Sequence, residues 1–362
     1  MPRRDTGHVR GGNACQRLPL AIWRRSEPDF PRLDEPARYR HARRAPAVLP
    51  CGRVSRTNES ERKHTMGSVA DKIARKILAS KGSKVVDLAN WREARKMALE
   101  AGLGDEGPIP VKFAGLDPCH GIYALAQNVA SLMAESISLM RETKGYVRIA
   151  GDAEDEYMPS GPPMSPLTVS YFTMWAMFDV RFGSSRETMG SCILRIAPAF
   201  DCPSWLIDTV ERMQQSRMGF FVHCGIDGEE VLLREVGARE VVSCTVPAGY
   251  AGSEGEIWFV RVLPPPHALC RRHIVFTTPY VIRDWPEPAF VDYLERELAR
   301  MKAQKKPPRT DDLHGHLMKY GPEPNHWNEY VHCAYTGHRK EAIFLTGIPD
   351  IRESLPHAPA YR

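Results

Sequence analysis

Several of the commonest signatures of catalysis are missing from this chain. There is no G-x-x-x-x-G-K-[ST] phosphate loop, no G-x-G-x-x-G turn after a strand, no H-E-x-x-H, no G-x-S-x-G and no EF-hand loop. Nucleotide-binding, zincin and α/β-hydrolase readings lose most of their footing. Sites assembled from distant residues survive this test, because geometry rather than spacing defines them. The nine cysteines include no C-x-x-C pair, so they read as buried thiols of a reducing cytosol. No apolar run reaches the roughly 20 residues of a spanning helix. The uncharged stretch 157–178 begins with Pro, Ser and Gly, and only 167–178 is densely apolar. No apolar segment follows the first arginines, which argues against a secretory signal.

Lysine is scarce at one end. Residues 1–65 hold 14 Arg and one Lys against seven acids, a net of +8, while the whole chain is +5. Residues 66–362 therefore carry 5 − 8 = −3, and the basic balance belongs to a leader. Its prolines are scattered and its apolar residues have no sustained period, so it reads as a disordered Arg-rich leader (1–65). Its acids count against a transit peptide. The plainer expectation is a start at Met66, with 1–65 an upstream read-through. The alternative is a basic arm that meets nucleic acid through phosphate charge.

What is present divides the rest of the chain. Residues 68–80 and 87–101 have helical apolar spacing. Asp117-Pro118 opens the longest expected helix, with Asp as N-cap, Pro at the first position and a stripe of Ile122, Leu125, Val129, Leu132 and Leu139. Gly145 is read as its stop. Ser165-Pro166 starts another helix to Phe178, and Ser184-x-x-Glu187 has a capping-box spacing. Between 220 and 278 lie five short β-type runs, the first two joined by Asp227-Gly228. The expected fold class is α+β: a helical domain (66–216), a small antiparallel β-barrel-like module (217–283) of SH3-like or OB-like size, then a helix with an irregular tail (284–362) packing on the core.

Candidate sites come from three places. Tyr171, Trp175 and Phe178, continued by Phe182, form one aromatic stripe of a helix. Such a stripe is core more often than ligand wall. Together with Ser170 and Thr173, and with a long loop at 151–164 as a lid, it is the strongest pocket candidate. The acids Asp152, Glu154, Asp155 and Glu156 are placed at the start of that loop, as solvated charge or a hard-cation site. His267-x-x-Cys270-x-x-His273 offers imidazole and thiolate for zinc, with His332 or Cys333 as a fourth ligand, against which stand two intervening arginines. His314-Gly-His316 reads as a polar linker. On the barrel, Arg234, Arg239, Trp258 and Arg261 are candidate contacts, but neighbouring glutamates disfavour nucleic acid.

The expected function is that of a cytosolic binding or regulatory protein acting through a protein or small-ligand contact. The alternatives are a hydrolase-type enzyme with an inter-domain, metal-assisted site and, more weakly, a nucleic-acid-associated protein using the basic leader. No membrane partner is expected.

Overall fold

The computed structural model describes residues 68–79, 118–158, 165–200, 202–267 and 270–350. The leader 1–65, the expected helix 87–101, the connection 102–116, part of the proposed lid (159–164) and the end of the tail (351–362) lie outside the described residues. Among the described residues no helix is long and apolar enough to cross a membrane.

The helical part begins with α1 (Val69–Ala79), which buries Ala70, Ile73, Ala74 and Ile77 on one face. Its first amides would be orphaned without caps. Ser68 Oγ accepts from Asp71 N at 3.0 Å. The distant Glu187 carboxylate accepts from Val69 N at 2.6 Å and Ala70 N at 3.2 Å. Glu187 therefore does not complete a capping box with Ser184. That motif lies four residues later, where Thr188 and Ser191 cap α5 (Met189–Ile196) reciprocally.

Helix α2 (Pro118–Ser138) carries the expected stripe, with Ile122, Leu125, Val129, Met133 and Ile137 buried, but Leu139 is 73% exposed because the helix has already ended. A 3-10 turn (Arg141–Thr143) leads into α3 (Lys144–Tyr157). Gly145 thus begins a helix instead of closing one. The acids at 152–156 lie on its last turns, not in a loop. Tyr146, Ala150, Ala153 and Tyr157 recur at helical spacing and are buried. That apolar stripe outweighs the two glycines within the helix. Helix α4 (Val169–Phe178) is N-capped by Thr168, whose side chain accepts from Tyr171 N. Helix α6 is Ser204–Gln215.

The strands are β1 (Met218–Asp227), β2 (Glu230–Glu235), β3 (Val241–Thr245), β4 (Ile257–Leu263), β5 (His273–Val275) and β6 (Tyr280–Arg283). The first five close into a barrel in the order β1-β2-β3-β5-β4-β1. The Asp227-Gly228 hairpin is present, with Asp227 opposite Glu230 and Gly228 at φ 64. All pairs in the ring are antiparallel except β3–β5, which is parallel. An odd ring cannot alternate direction all the way round, so one parallel seam is the geometric condition of closure.

Past the barrel, α7 (Glu287–Lys302), α8 (Leu313–Tyr320) and α9 (His326–Ala334) are followed by β7 (Tyr335–His338) and β8 (Ile343–Thr346). Strand β8 pairs in parallel with β6, and β7 forms the outer strand on β8. The segment read as an irregular tail therefore extends the sheet. His314 and His316, read as linker, lie on α8, whose N-cap Asp312 accepts from Gly315 N at 2.7 Å.

Strand alternation sorts the core. In β4, Trp258 and Val260 point into the barrel with Phe221, Leu233 and Val275. Ile257 and Phe259 point the other way, into a second core with α4 and α7–α9. Leu263, on that same outer face, joins a third core with α1, α2 and α4–α6. Arg261 falls between Phe259 and Leu263, on the seam between these two outer cores.

Candidate functional site

The seam is filled by a buried ion triad. Asp179 C-caps α4, its amide donating to Trp175 O at 2.9 Å. Arg261 reaches it bidentately, Nη1 to Oδ2 at 2.9 Å and Nη2 to Oδ1 at 2.7 Å. The same guanidinium donates to Ser216 Oγ at 3.1 Å and Ser216 O at 2.7 Å. The side chains of Arg261 and Asp179 are 1% and 4% exposed. Lys319, from α8, approaches Asp179 Oδ1 at 3.3 Å and donates to Ser216 O at 3.0 Å and to Gln214 O. Two cations thus share one carboxylate. Burial, opposed by Asp179 and reinforced by the Arg261 and Arg217 charges, brings the Lys319 ammonium down to about 8.

A cavity of about 500 Å³ opens beside this triad, with Asp179 and Lys319 in its wall. That volume lies within the range of small-molecule sites, about 300–1,000 Å³. Trp175, Ile149, Met301 and Pro308 supply apolar surface, and Arg181, Arg186 and His316 supply cationic and polar surface. The Arg181 guanidinium carbon lies 3.7 Å from the centroid of the Tyr320 ring, and the His316 ring packs on the same tyrosine at 4.9 Å. Among the described residues neither Arg181 nor Arg186 forms an ion pair with a carboxylate. Burial and then the Arg186 charge lower the Arg181 pKa. Burial, followed by Arg181 and Arg186, holds His316 below its ordinary value.

Arg186 is placed by a tight loop. Phe182 and Glu187 exchange backbone hydrogen bonds of 2.8 and 3.0 Å, and the residues between them turn through Gly183 at φ 69 and Arg186 at φ 51. A non-glycine residue in the left-handed region costs about 1–2 kcal/mol. Glu187, the next residue, is committed to the N-terminus of α1, so it does not neutralise its neighbour.

The aromatic stripe is divided by the fold. Trp175 is half-buried and lines the cavity, whereas Tyr171 and Phe178 are 1% and 0% exposed. Tyr171 Oη donates to Asn328 Oδ1 at 3.1 Å. Ser170 Oγ accepts from Thr278 N at 3.1 Å, tying α4 to the segment before β6. Thr173 is fully buried, and its hydroxyl has no hydrogen-bond partner among the described residues. None of these four reaches the cavity wall.

The other candidates have structural surroundings. Cys270 is buried against the helical core, its amide donating to His267 O at 2.9 Å. His273 opens β5 opposite Cys244. Among the described residues no group of three His, Cys, Asp or Glu side chains is close enough to hold a metal ion. On the barrel, Arg234 is paired bidentately with Glu287 at 2.9 and 2.8 Å, Trp258 lies inside, and Arg261 is buried on the outer face in the triad.

A pH dependence follows from a partly buried histidine next to Asn325 of the cavity wall. His326 bonds Tyr293 Oη at 3.1 Å, and burial brings its pKa from 6.5 down to about 4. Between those values the unfolded chain binds a proton that the folded chain refuses, so stability falls as pH drops through that window. His314 and His316 act in the same direction. Urea unfolding at pH 7, 6 and 5 is expected to show the decline, and His326→Gln to shrink it. An undiminished decline in that variant would show that His326 does not carry it.

Comparison with protein-family models, with curated proteins and with solved structures finds no match to this chain.

Proposed function

We propose that this chain is a ligand-binding protein that takes a small organic anion in the cavity beside the Asp179–Arg261–Lys319 triad. The supporting observation is the pairing of two arginines, neither ion-paired to a carboxylate among the described residues, with an apolar wall in one cavity of about 500 Å³. An anion entering there meets a guanidinium already held over the Tyr320 ring, so little side-chain entropy is lost on binding. A cytosolic setting fits the reading. The buried thiols of Cys192 and Cys244 are pushed up to about 12, which makes them inert packing groups. A zinc-assisted hydrolase has no comparable support, because His267, Cys270 and His273 do not gather.

The reading is tested by thermal shift and calorimetry against organic anions, cations and neutral compounds of matched size. Only anions are expected to stabilise the protein, by about 2.7 kcal/mol at a hundredfold excess over Kd. Arg181→Ala is expected to weaken binding about tenfold or more, equivalent to about 1.4 kcal/mol. Indifference of the protein to every anion, or unchanged affinity in Arg181→Ala, would reject the assignment.

A further inference from the structure

We infer that the anionic head of this ligand carries two negative charges, as a phosphoryl group or a pair of carboxylates, with an apolar body against Trp175 and Met301. The inference rests on the anion-binding reading above and sharpens it through charge balance. Arg261 and Lys319 share the single charge of Asp179, so the triad keeps one positive charge out of water. The half-buried Arg181 adds one more, whereas Arg186 and the other carboxylate on the cavity wall, Glu323, are both exposed and balance each other in solvent. Among the described residues three cations thus stand against one acid away from solvent, which leaves two positive charges. Uncompensated charge away from water is costly. A singly charged ligand leaves half of the excess, whereas a doubly charged one removes it.

Geometry points the same way. Guanidinium forks match phosphate and carboxylate oxygens, and two of them can hold one head from two sides. Arg181 is preset by its stack on Tyr320. Arg186 is held in the left-handed region at φ 51, in a loop closed by the Phe182–Glu187 pair. The turn that closes this loop, and sets Glu187 on the N-terminus of α1, also brings the Arg186 side chain to the cavity. His316, held below its ordinary value by burial and then by the two arginines, adds a ring that can hydrogen-bond to the head.

Four probes sharing one phenyl ring separate charge from shape: phenyl phosphate, phthalate, phenyl sulfate and benzoate. At pH 7.5 the first two carry nearly two charges and the last two carry one. Calorimetry on the full chain is expected to give phenyl phosphate and phthalate at least about tenfold tighter Kd values than phenyl sulfate and benzoate. Arg186→Ala is expected to erase that preference while leaving the ligand-free melting temperature within about a degree, since Arg186 is exposed. If all four bind equally, the double charge is wrong and anion binding stands. If phenyl sulfate matches phenyl phosphate and both exceed benzoate, head shape decides and the inference fails. If none binds, both readings fail together.

Discussion

Replacing Asp179 by Asn is expected to destabilise the fold by about 3–5 kcal/mol, the cost of removing one partner from a buried ion pair. The amide keeps the size of the carboxylate but not its charge. Arg261 and Lys319 then face each other across the seam, with Arg261 1% exposed and, among the described residues, no other acid bonded to either. Arg261→Met should cost less, because Asp179 retains Lys319 at 3.3 Å. The pair of variants is therefore informative by its order, Asp179→Asn being the worse. Urea midpoints at constant m-value would measure both. Equal or negligible losses would mean that the triad does not hold the helical layer to the barrel.

The second large effect concerns the aromatic stripe. Phe178→Ala is expected to cost about 3–5 kcal/mol, as for other buried phenylalanines. Phe178 is 0% exposed, and its ring lies 2.5 Å from where a β-carbon on Gly190 would stand. The α4–α5 contact is thus built on a glycine that admits the ring, and truncating the ring leaves a cavity. Trp175→Ala, one turn earlier, removes a half-buried ring from the cavity wall. Its stability loss should be clearly smaller, with ligand affinity falling instead. A Trp175→Ala loss as large as that of Phe178→Ala would make the whole stripe core and remove Trp175 from the site.

Much of the architecture is written locally. Period-2 alternation marks β1 to β5, because one face of each strand must be apolar, and Asp227-Gly228 marks their first turn. The spacing of Ile122, Leu125, Val129 and Met133 marks α2. The α3 stripe was equally legible in Tyr146, Ala150, Ala153 and Tyr157, but Gly145 and the acids at 152–156 suggest a stop and a loop. Glycine and charge are only weak local preferences, and burial of that stripe overrides them. Asp312 as N-cap was the available sign that His314 and His316 lie on a helix, which turns His316 to the cavity and His314 toward Arg217.

The amino-acid sequence by itself determined the α+β class, the run of five barrel strands and the presence of Trp175 on an aromatic helix. These are properties of neighbours along the chain, where periodicity and turn chemistry act. Only the tertiary structure decided the parallel β3–β5 seam, the separation of Trp175 from Tyr171 and Phe178, and the triad with its cavity. Asp179 and Arg261 are 82 residues apart, and no local preference signals their meeting. Charge pairing depends on distance in space and on the exclusion of water. Which arginines are paired with a carboxylate among the described residues, as Arg261 is, and which are not is therefore settled only when the helices close on the barrel.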